Sequence, residues 1–433
     1  MLKIKRKKEK FMKISKGDIL RTTQGNAIRI GVSSADIPQL SYLQLNNKRP
    51  NANSYYEEMK PLFFTLKIFG LMPYHVTSKG QVAFEFISAP MLYSAVMVTG
   101  IVISSVVTLR DSFQRAYARN VSSFECDIAE MTFSTGYVFL IVMPCVRFLE
   151  YRKITRFIND WGNLQTDFTR ITGKSLALGL RRKVHLTIAA LLLWVAALGV
   201  SLRLTSLGLR WWQITATLLC SSVTWIMSWL FTFTCLGLNS AARIIADEIS
   251  LEVANKGVGR TEKIAQYKFL WLRLSYLTQD LGNSMGFSYG ALIVLCFAAQ
   301  VLSCYGFLSS IGQGIKLTQV TLAAATTFIG LLLFCICSAA NCATQQVGSK
   351  FQARLYTLIQ QNPSASFQTS NEIQLFISTI SSNPPAINLS GFVVLDRGVN
   401  TALISQMVTY LIVLMQFQLS SLDAKGDLNY TNS

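Results

Sequence analysis

Charged side chains and histidine are scarce in this sequence. Asp, Glu, Lys and Arg together make up 14% of the 433 residues, and the two histidines, His75 and His185, lie far apart in the chain. Two distant histidines argue against a metal centre. No apolar segment carries a pair of carboxylates, and no Walker, GxSxG or HExxH motif occurs, so no acid–base pair for catalysis can be placed. We therefore expect a protein that is not an enzyme and that binds no cofactor and no metal.

Apolar residues are abundant by contrast, and they come in long runs. They make up 51% of the chain, and the mean hydropathy is +0.36, which is not typical of a soluble protein. A helix of roughly 18 or more apolar residues is long enough to cross a bilayer. The sequence thus predicts an all-α bundle of seven transmembrane helices, over Phe86–Leu109, Met131–Val146, Val184–Leu202, Trp211–Leu238, Phe287–Leu308, Gln319–Ala340 and Val399–Leu419.

Positive charge is distributed unevenly between the two sides of this bundle. Of the 40 Lys and Arg residues, 32 fall before the first span or in the loops after even-numbered spans, and only 7 fall on the other side. Since Lys and Arg concentrate in cytoplasmic loops, we expect a cytoplasmic N-terminus and an extracellular C-terminus in the plasma membrane. The basic run Lys3–Lys10 is then expected against anionic lipid rather than nucleic acid. The glycosylation sequons at Asn120 and Asn429 fall on the predicted outer side.

Charged residues at the ends of the spans have a simple interpretation. Glu85, Glu130, Asp396 and Arg397 lie at such ends, where a charge usually reaches water or snorkels to the interface. We expect these four side chains to be solvated.

The last apolar segment carries a polar stripe. At 100° per residue five of its polar side chains share about 100° of arc with Ile412; they are Thr401, Ser405, Thr409, Gln416 and Ser420. One interpretation is packing of helix on helix, which small hydroxyl residues favour. The other is a water-filled path lined by several copies of the chain, with Ile412 and Val413 as an apolar gate. Five polar residues on one stripe favour the water-filled path.

A short motif lies within this segment. Thr409-Tyr410 is followed by five hydrophobic residues and then Gln416-Phe417. This pattern resembles the signature of insect gustatory receptors, which falls in their seventh span. The resemblance implies a tetrameric, ligand-gated, non-selective cation channel of sensory neuron dendrites, with the seventh helix lining the pore. It also implies related subunits as partners and a ligand in the outer half of the other six helices.

Further segments resemble one branch of that family, the carbon-dioxide receptors. They are Tyr56–Pro73, Ser303–Gly306, Asn371–Phe376, Asn383–Asn388, Gly391-Phe392, Arg397 and Met407–Tyr410. The sequence departs from the branch at Ser338–Asn341, where an acidic and histidine-containing group is expected. The resemblance implies detection of carbon dioxide together with related subunits. Sugar- or bitter-responsive receptors are the alternative within the family, and a seven-helix receptor coupled to a cytoplasmic transducer is the alternative outside it.

Aromatic and polar residues in the outer halves of the spans are candidates for a ligand pocket. They are Thr135, Tyr137, Trp211, Trp212, Gln213, Tyr305 and Thr326. Such a lining suits a small neutral ligand such as CO2 or a tastant. For Trp211 and Trp212, the competing interpretation is an aromatic belt at the membrane interface. For Tyr137 and Thr326, the competing interpretation is packing between helices.

Five regions are expected along the chain. A cytoplasmic N-terminal arm with an amphipathic interfacial helix occupies 1–81. A six-helix ligand-sensing bundle with cytoplasmic helix extensions follows at 82–340. Apolar stripes at helical spacing through Phe351–Leu358 and Ile373–Ile380 predict cytoplasmic anchor helices at 341–397. The pore-lining seventh helix is expected at 398–420 and an extracellular tail at 421–433.

Overall fold

The computed structural model describes residues 54–77, 81–118, 124–204, 210–254, 260–309, 317–361 and 367–430. These ranges contain ten helices and two short hairpins. In chain order they are α1 (Ser54–Ile68), β1 (His75–Val76), β2 (Val82–Ala83), α2 (Ala89–Ala118), α3 (Phe124–Thr172), α4 (Arg181–Leu204), α5 (Trp211–Ala254), α6 (Arg260–Ser309), α7 (Leu317–Val347), α8 (Ser349–Gln361), α9 (Phe367–Ser382), β3 (Asn388–Leu389), β4 (Val393–Val394) and α10 (Arg397–Tyr430). Each hairpin is antiparallel, β1 with β2 and β3 with β4.

The prediction of seven membrane-length helices is confirmed. They are α2, α3, α4, α5, α6, the α7–α8 pair and α10, each long and apolar enough to cross a membrane. The short second segment, Met131–Val146, belongs to a helix of 49 residues, and α5 and α6 have 44 and 50 residues. At about 1.5 Å per residue these helices exceed about 65 Å, more than twice the ~30 Å hydrocarbon thickness. They therefore continue well beyond the bilayer.

The extensions of these helices share a core with α8 and α9. Trp271 of α6 lies at its centre, with ring centroids 6.3 Å from Phe351 and 5.9 Å from Phe376. Its indole N–H donates to the carbonyl oxygen of Val347 (2.8 Å), where α7 ends. The stripes expected in Phe351–Leu358 and Ile373–Ile380 are buried, and each contributes one ring to the contacts of this tryptophan.

Helix α1 packs on the protein's own helices. Tyr55 stacks on Trp161 of α3 with centroids 4.7 Å apart, and its hydroxyl bonds Thr234 Oγ1 of α5 (2.8 Å). Burial raises the pKa of Tyr55 above its ordinary value. The Glu58 carboxylate accepts the backbone N–H groups of Leu178 (3.3 Å) and Leu180 (2.5 Å), just before α4 begins. The amphipathic helix expected within 1–81 is thus α1, which ends at Ile68 and has its apolar face covered by α3, α4 and α5.

Glu130 is not solvated, which corrects the expectation for charges at span ends. Its side chain is buried and forms an ion pair with Arg115 of α2 at 3.5 Å. The other three charges of that group, Glu85, Asp396 and Arg397, are exposed. A carboxylate can be buried where a cation accompanies it, because the pair lowers the cost of leaving water. Sequence position alone did not reveal Arg115 as that cation.

Candidate functional site

The β3–β4 hairpin delivers the chain into α10. Asp396 caps the helix, since its Oδ1 accepts the backbone N–H of Val399 at 3.0 Å. Arg397 lies in the first turn, and its Nη2 donates to Ser338 Oγ of α7 at 3.5 Å. Ser338 begins the segment in which the sequence departs from the carbon-dioxide branch, so this departure lies against the start of α10.

One face of α10 packs against α6 and α7. Val399, Leu403, Met407 and Leu414 are partly buried in this seam, and Leu411 is the buried residue at its centre. Leu411 lies beside Tyr305 of α6, whose hydroxyl donates to the Leu414 carbonyl oxygen at 3.4 Å. Between Arg397 and Gln418, Leu411 is the only buried residue. The seam is therefore narrow, and most of the helix surface faces away from the chain.

The polar stripe lies opposite this seam. At 100° per residue the centres of the two sets are about 180° apart. Its described side chains are all exposed, at Thr401, Ser405, Thr409 and Gln416. The hydroxyls of Thr401 and Thr409 donate to carbonyl oxygens one turn earlier, those of Arg397 (3.3 Å) and Ser405 (3.1 Å). These four residues therefore do not pack against the chain's own helices, and the choice between a water-filled path and packing between copies stays a prediction.

The remaining predicted pore residues take related positions. Ile412 is 54% exposed and Val413 41% exposed, on the same outward side. Ser420 belongs to α10, but its side chain lies outside the described residues. The helix also continues to Tyr430, past the boundary expected at 420.

The family motif divides between two faces of α10. Thr409 and Gln416 are seven residues apart, so they lie two turns apart on the outward face. Tyr410 and Phe417 repeat the same spacing on the adjacent flank, and both rings are exposed. Tyr410 lies edge-on to Phe297 of α6 with centroids 6.3 Å apart. The motif therefore marks the outward face and one border of the seam.

A cavity of about 280 Å³ lies among α3, α4, α5, α6 and α7. Thr135 and Tyr137, two of the predicted pocket residues, line it. Its aromatic wall is formed by Trp194 and Phe328, which stack with centroids 4.4 Å apart. None of the described residues that line the cavity is Asp, Glu, Lys, Arg or His. The lining is therefore uncharged and mostly apolar.

The described hydroxyls of the cavity already have hydrogen-bond partners within the chain. Tyr137 Oη lies 3.3 Å from Thr217 Oγ1, and Ser201 Oγ lies 3.1 Å from Thr321 Oγ1. The indole N–H of Trp194 donates to Ser221 Oγ at 2.8 Å. A ligand with few polar atoms therefore loses little free energy on binding, since the described lining presents no buried charge that would have to be paired.

The other predicted pocket residues lie outside this cavity. Trp211 is exposed at the start of α5, Trp212 lies under the guanidinium of Arg210 (5.0 Å to the ring centroid), and Gln213 Oε1 accepts the backbone N–H of Arg210 (3.0 Å). Tyr305 lies in the α10 seam, as described above. Thr326 donates to the Leu322 carbonyl oxygen at 3.0 Å. Their part in ligand binding stays a prediction.

Several cavity residues escaped the sequence analysis, among them Trp194, Ser201, Thr217, Thr321 and Phe328. Trp194 and Phe328 carried a usable signal, because aromatic rings in the middle of a span do not belong to an interfacial belt. The hydroxyl residues carried none, since Ser and Thr are common wherever helices pack closely.

Metal ligands and glycosylation sites add little to this site. Among the described residues, no three His, Cys, Asp or Glu side chains are grouped as a metal ion would need. Asn120 lies outside the described residues. Asn429 is in the last turn of α10, and its side chain also lies outside them.

Seven membrane-length helices define this chain as a multi-pass membrane protein. A family profile for the 7tm chemosensory receptors matches residues 59–421. The chain belongs to that family, whose curated members include insect gustatory and odorant receptors. Gustatory and odorant receptor 24 of Anopheles gambiae is 30% identical over 369 residues, covering 84% of this chain and 79% of the relative. Gustatory and odorant receptor 22 of the same mosquito is 26% identical over 383 residues, covering 86% and 80%.

The fold is also that of a solved receptor. The olfactory receptor OR5 from Machilis hrabei superimposes with a TM-score of 0.58 at 12% identity, covering 84% of this chain and 98% of that one. Its complex with eugenol superimposes with a TM-score of 0.56 at 13% identity. At such identities the likeness concerns the fold alone.

Proposed function

We propose that this chain is a chemosensory receptor subunit that forms a ligand-gated cation channel with three further subunits. The observation that carries the proposal is the orientation of α10, whose polar stripe faces directly away from its own bundle. Polar side chains facing hydrocarbon gain nothing and cost free energy if unpaired. Around a shared axis, four such helices would line a path for water and cations. Ile412 and Val413 would then form apolar rings that gate by dewetting.

The ligand of this channel is proposed to bind in the 280 Å³ cavity. An uncharged lining with a stacked Trp194–Phe328 pair suits a small neutral molecule. The solved complex of OR5 with eugenol shows that a receptor of the same fold is found with a small organic molecule.

Carbon dioxide is the ligand that the sequence resemblance favours, acting on this chain together with related subunits. The Asn371–Phe376 and Asn383–Asn388 segments support it. The cavity supports a second candidate, because a water molecule occupies about 30 Å³ of liquid and CO2 has only three heavy atoms. A cavity of about 280 Å³ is better filled by a larger neutral tastant or odorant. A sugar is less favoured, since the cavity hydroxyls are already paired.

The proposed topology places the N-terminus in the cytoplasm and the C-terminus outside, on the evidence of the Lys and Arg distribution. It distinguishes the channel from a seven-helix receptor coupled to a cytoplasmic transducer, which has its N-terminus outside. An N-terminal epitope tag on intact cells should stay inaccessible to antibody until the cells are permeabilised. Labelling of intact cells would favour the transducer-coupled receptor.

Recording of currents tests the channel and its ligand together. The chain is expressed alone and with related subunits, and the cells are challenged with CO2, then with sugars and with neutral aromatic volatiles. Ligand-dependent cation current is expected in at least one combination, and Gln416→Ala should change its conductance or ion selectivity. Permeation that is identical in wild type and Gln416→Ala, in every combination that conducts, would refute the pore assignment.

A further inference from the structure

Glu150 of α3 is a fully buried carboxylate that binds the backbone of a neighbouring helix. Its Oε1 accepts the backbone N–H groups of Phe287 (2.8 Å) and Ser288 (3.2 Å) of α6, and its Oε2 accepts the hydroxyl of Ser288. One turn along α3, the Lys153 ammonium donates to the carbonyl oxygen of Asn283 (3.4 Å). Asn283 and Phe287 are four residues apart, the spacing at which a helix bonds its own backbone. Helix α3 therefore holds both members of one backbone pair of α6.

The same stretch of α6, Gly282–Ser288, holds the hairpin that leads to α10. A Cβ on Gly282 would lie 2.8 Å from the backbone nitrogen of Asn388, and a Cβ on Gly286 would lie 2.5 Å from that of Ser390. Carbon atoms do not approach backbone so closely, so glycine is needed at both positions. The backbone N–H of Ser390 also donates to the Gly282 carbonyl oxygen (3.3 Å). The β3–β4 hairpin thus rests directly on the backbone of α6.

The hairpin in turn fixes the start of α10. Only Leu395 and Asp396 separate β4 from the first residue of the helix. Leu395 is fully buried, and its backbone N–H donates to the Ile387 carbonyl oxygen at 2.8 Å. The ring centroids of Phe392 and Phe287 lie 6.0 Å apart, so the tip of the hairpin contacts the same stretch of α6. A displacement of Gly282–Ser288 therefore has a short path to α10.

Helix α3 connects this stretch to the cavity. Its residues Thr132 to Phe139 contribute to the cavity lining, and Glu150 follows further along the same helix. Pro144 lies between them. A proline inside a helix removes one backbone hydrogen bond and bends the helix. The cavity segment and the Glu150 segment of α3 can therefore change their relative angle at Pro144.

We propose that Gly282–Ser288 is a coupling joint, positioned by Glu150, that passes movement of α3 to the hairpin and so to α10. The carboxylate holds the joint to α3, and the two glycines hold it to the hairpin. This rests on the proposed function in one respect, because α10 is taken to be the helix whose movement opens the pore.

Hydrogen exchange of the purified chain in lipid nanodiscs tests the joint without any current. Glu150→Gln should raise the exchange rate in residues 283–290 and also in residues 388–400, at least about tenfold. The substitution removes the charge that strengthens these bonds, and the amide nitrogen cannot accept the Ser288 hydroxyl. The matched control Asp160→Asn removes an exposed carboxylate from the same helix and should stay within about twofold of wild type. A merely structural role for Glu150 would loosen 283–290 alone. Unchanged exchange in 388–400 would therefore overturn the proposal.

A glycine pair tests the other side of the joint. Gly286→Ala should raise exchange in 388–400 at least about tenfold, since its Cβ meets the hairpin backbone. Gly290→Ala, one turn further along α6, places its Cβ where no side chain and no backbone from beyond its own helical turns lies within 4 Å, and should change the exchange rate less than twofold. Equal effects of the two variants would contradict the proposal.

Misfolding is recognised by lost protection in α1 and α8, which lie away from the joint. If Glu150→Gln shows such loss, the milder Lys153→Met replaces it and should raise exchange in 388–400 about threefold; no rise would overturn the proposal. If wild type never conducts, the proposed channel is refuted, whereas the exchange results still decide whether the joint exists.

Discussion

The orientation of the α10 stripe makes a prediction about chemical access. Single cysteines are placed on the outward face at Thr401, Ser405, Thr409 and Gln416, and one is placed in the seam at Leu411. From Thr401 to Gln416 the helix rises about 22 Å at ~1.5 Å per residue, most of the ~30 Å hydrocarbon thickness. A charged aqueous thiol reagent reaches all four outward positions only if water extends along the helix.

The expected difference in rate follows from the seam. To expose a thiol at Leu411, which is 8% exposed, α10 must separate from Tyr305 and its neighbours. Exposing one buried apolar side chain of this size costs about 1.5–3 kcal/mol. At about 1.4 kcal/mol per factor of ten, the outward cysteines should react about 10 to 150 times faster than the cysteine at 411.

The assay is loss of current, or mass shift of the purified protein, on treatment with a charged methanethiosulfonate. The chain has nine native cysteines, so the parent without an added cysteine supplies the baseline. Outward cysteines that never react with the charged reagent, with or without ligand, but react with a membrane-permeant maleimide would refute the reasoning. The stripe would then face lipid or a dry contact between copies.

Three further predictions concern the cavity and α1. Trp194→Phe removes the indole donor to Ser221 and should weaken responses to neutral aromatic ligands about 2- to 12-fold in half-effective concentration, since a hydrogen bond contributes about 0.5–1.5 kcal/mol; an unchanged value would argue against the cavity. Glu58→Ala leaves the backbone N–H groups of Leu178 and Leu180 without their acceptor and should lower the free energy of unfolding by about 1–3 kcal/mol in nanodisc denaturation. No change would contradict the stabilising role of these two bonds. Tyr55→Phe removes the hydrogen bond to Thr234 and should lower the free energy of unfolding by about 1 kcal/mol in the same assay. This decrease is expected to be smaller than that of Glu58→Ala, and a larger decrease would contradict the prediction.

The long elements of the fold could be predicted from the sequence, because their signals are local. Continuous apolar runs give membrane helices, and the spacing of Phe351, Leu355 and Leu358 gives a buried helix face. The orientation of the α10 stripe could be predicted only in part. Periodicity grouped Thr409 with Gln416, but only the packed seam at Leu411 shows that this group faces outward.

The cavity and the buried charges could not be predicted, because they depend on which faces of distant helices meet. Trp194 and Phe328 are separated by more than a hundred residues, and no local pattern pairs them. Glu150 follows the second span and is typical of a solvated end of a helix. Its backbone partner at Phe287 becomes evident only when α3 and α6 are placed side by side.

The docking of α1 has a consequence for biosynthesis. Its partner Thr234 is made 179 residues after Tyr55, and at about 5–20 residues per second the ribosome needs roughly 9 to 36 seconds for that interval. Throughout it, the apolar side of α1, including Met59 and Phe63, has no finished surface to bind. Chaperones that recognise exposed apolar helices therefore have the longest time to bind α1. A bulky N-terminal fusion is expected to interfere with folding at that stage of synthesis rather than in the mature receptor.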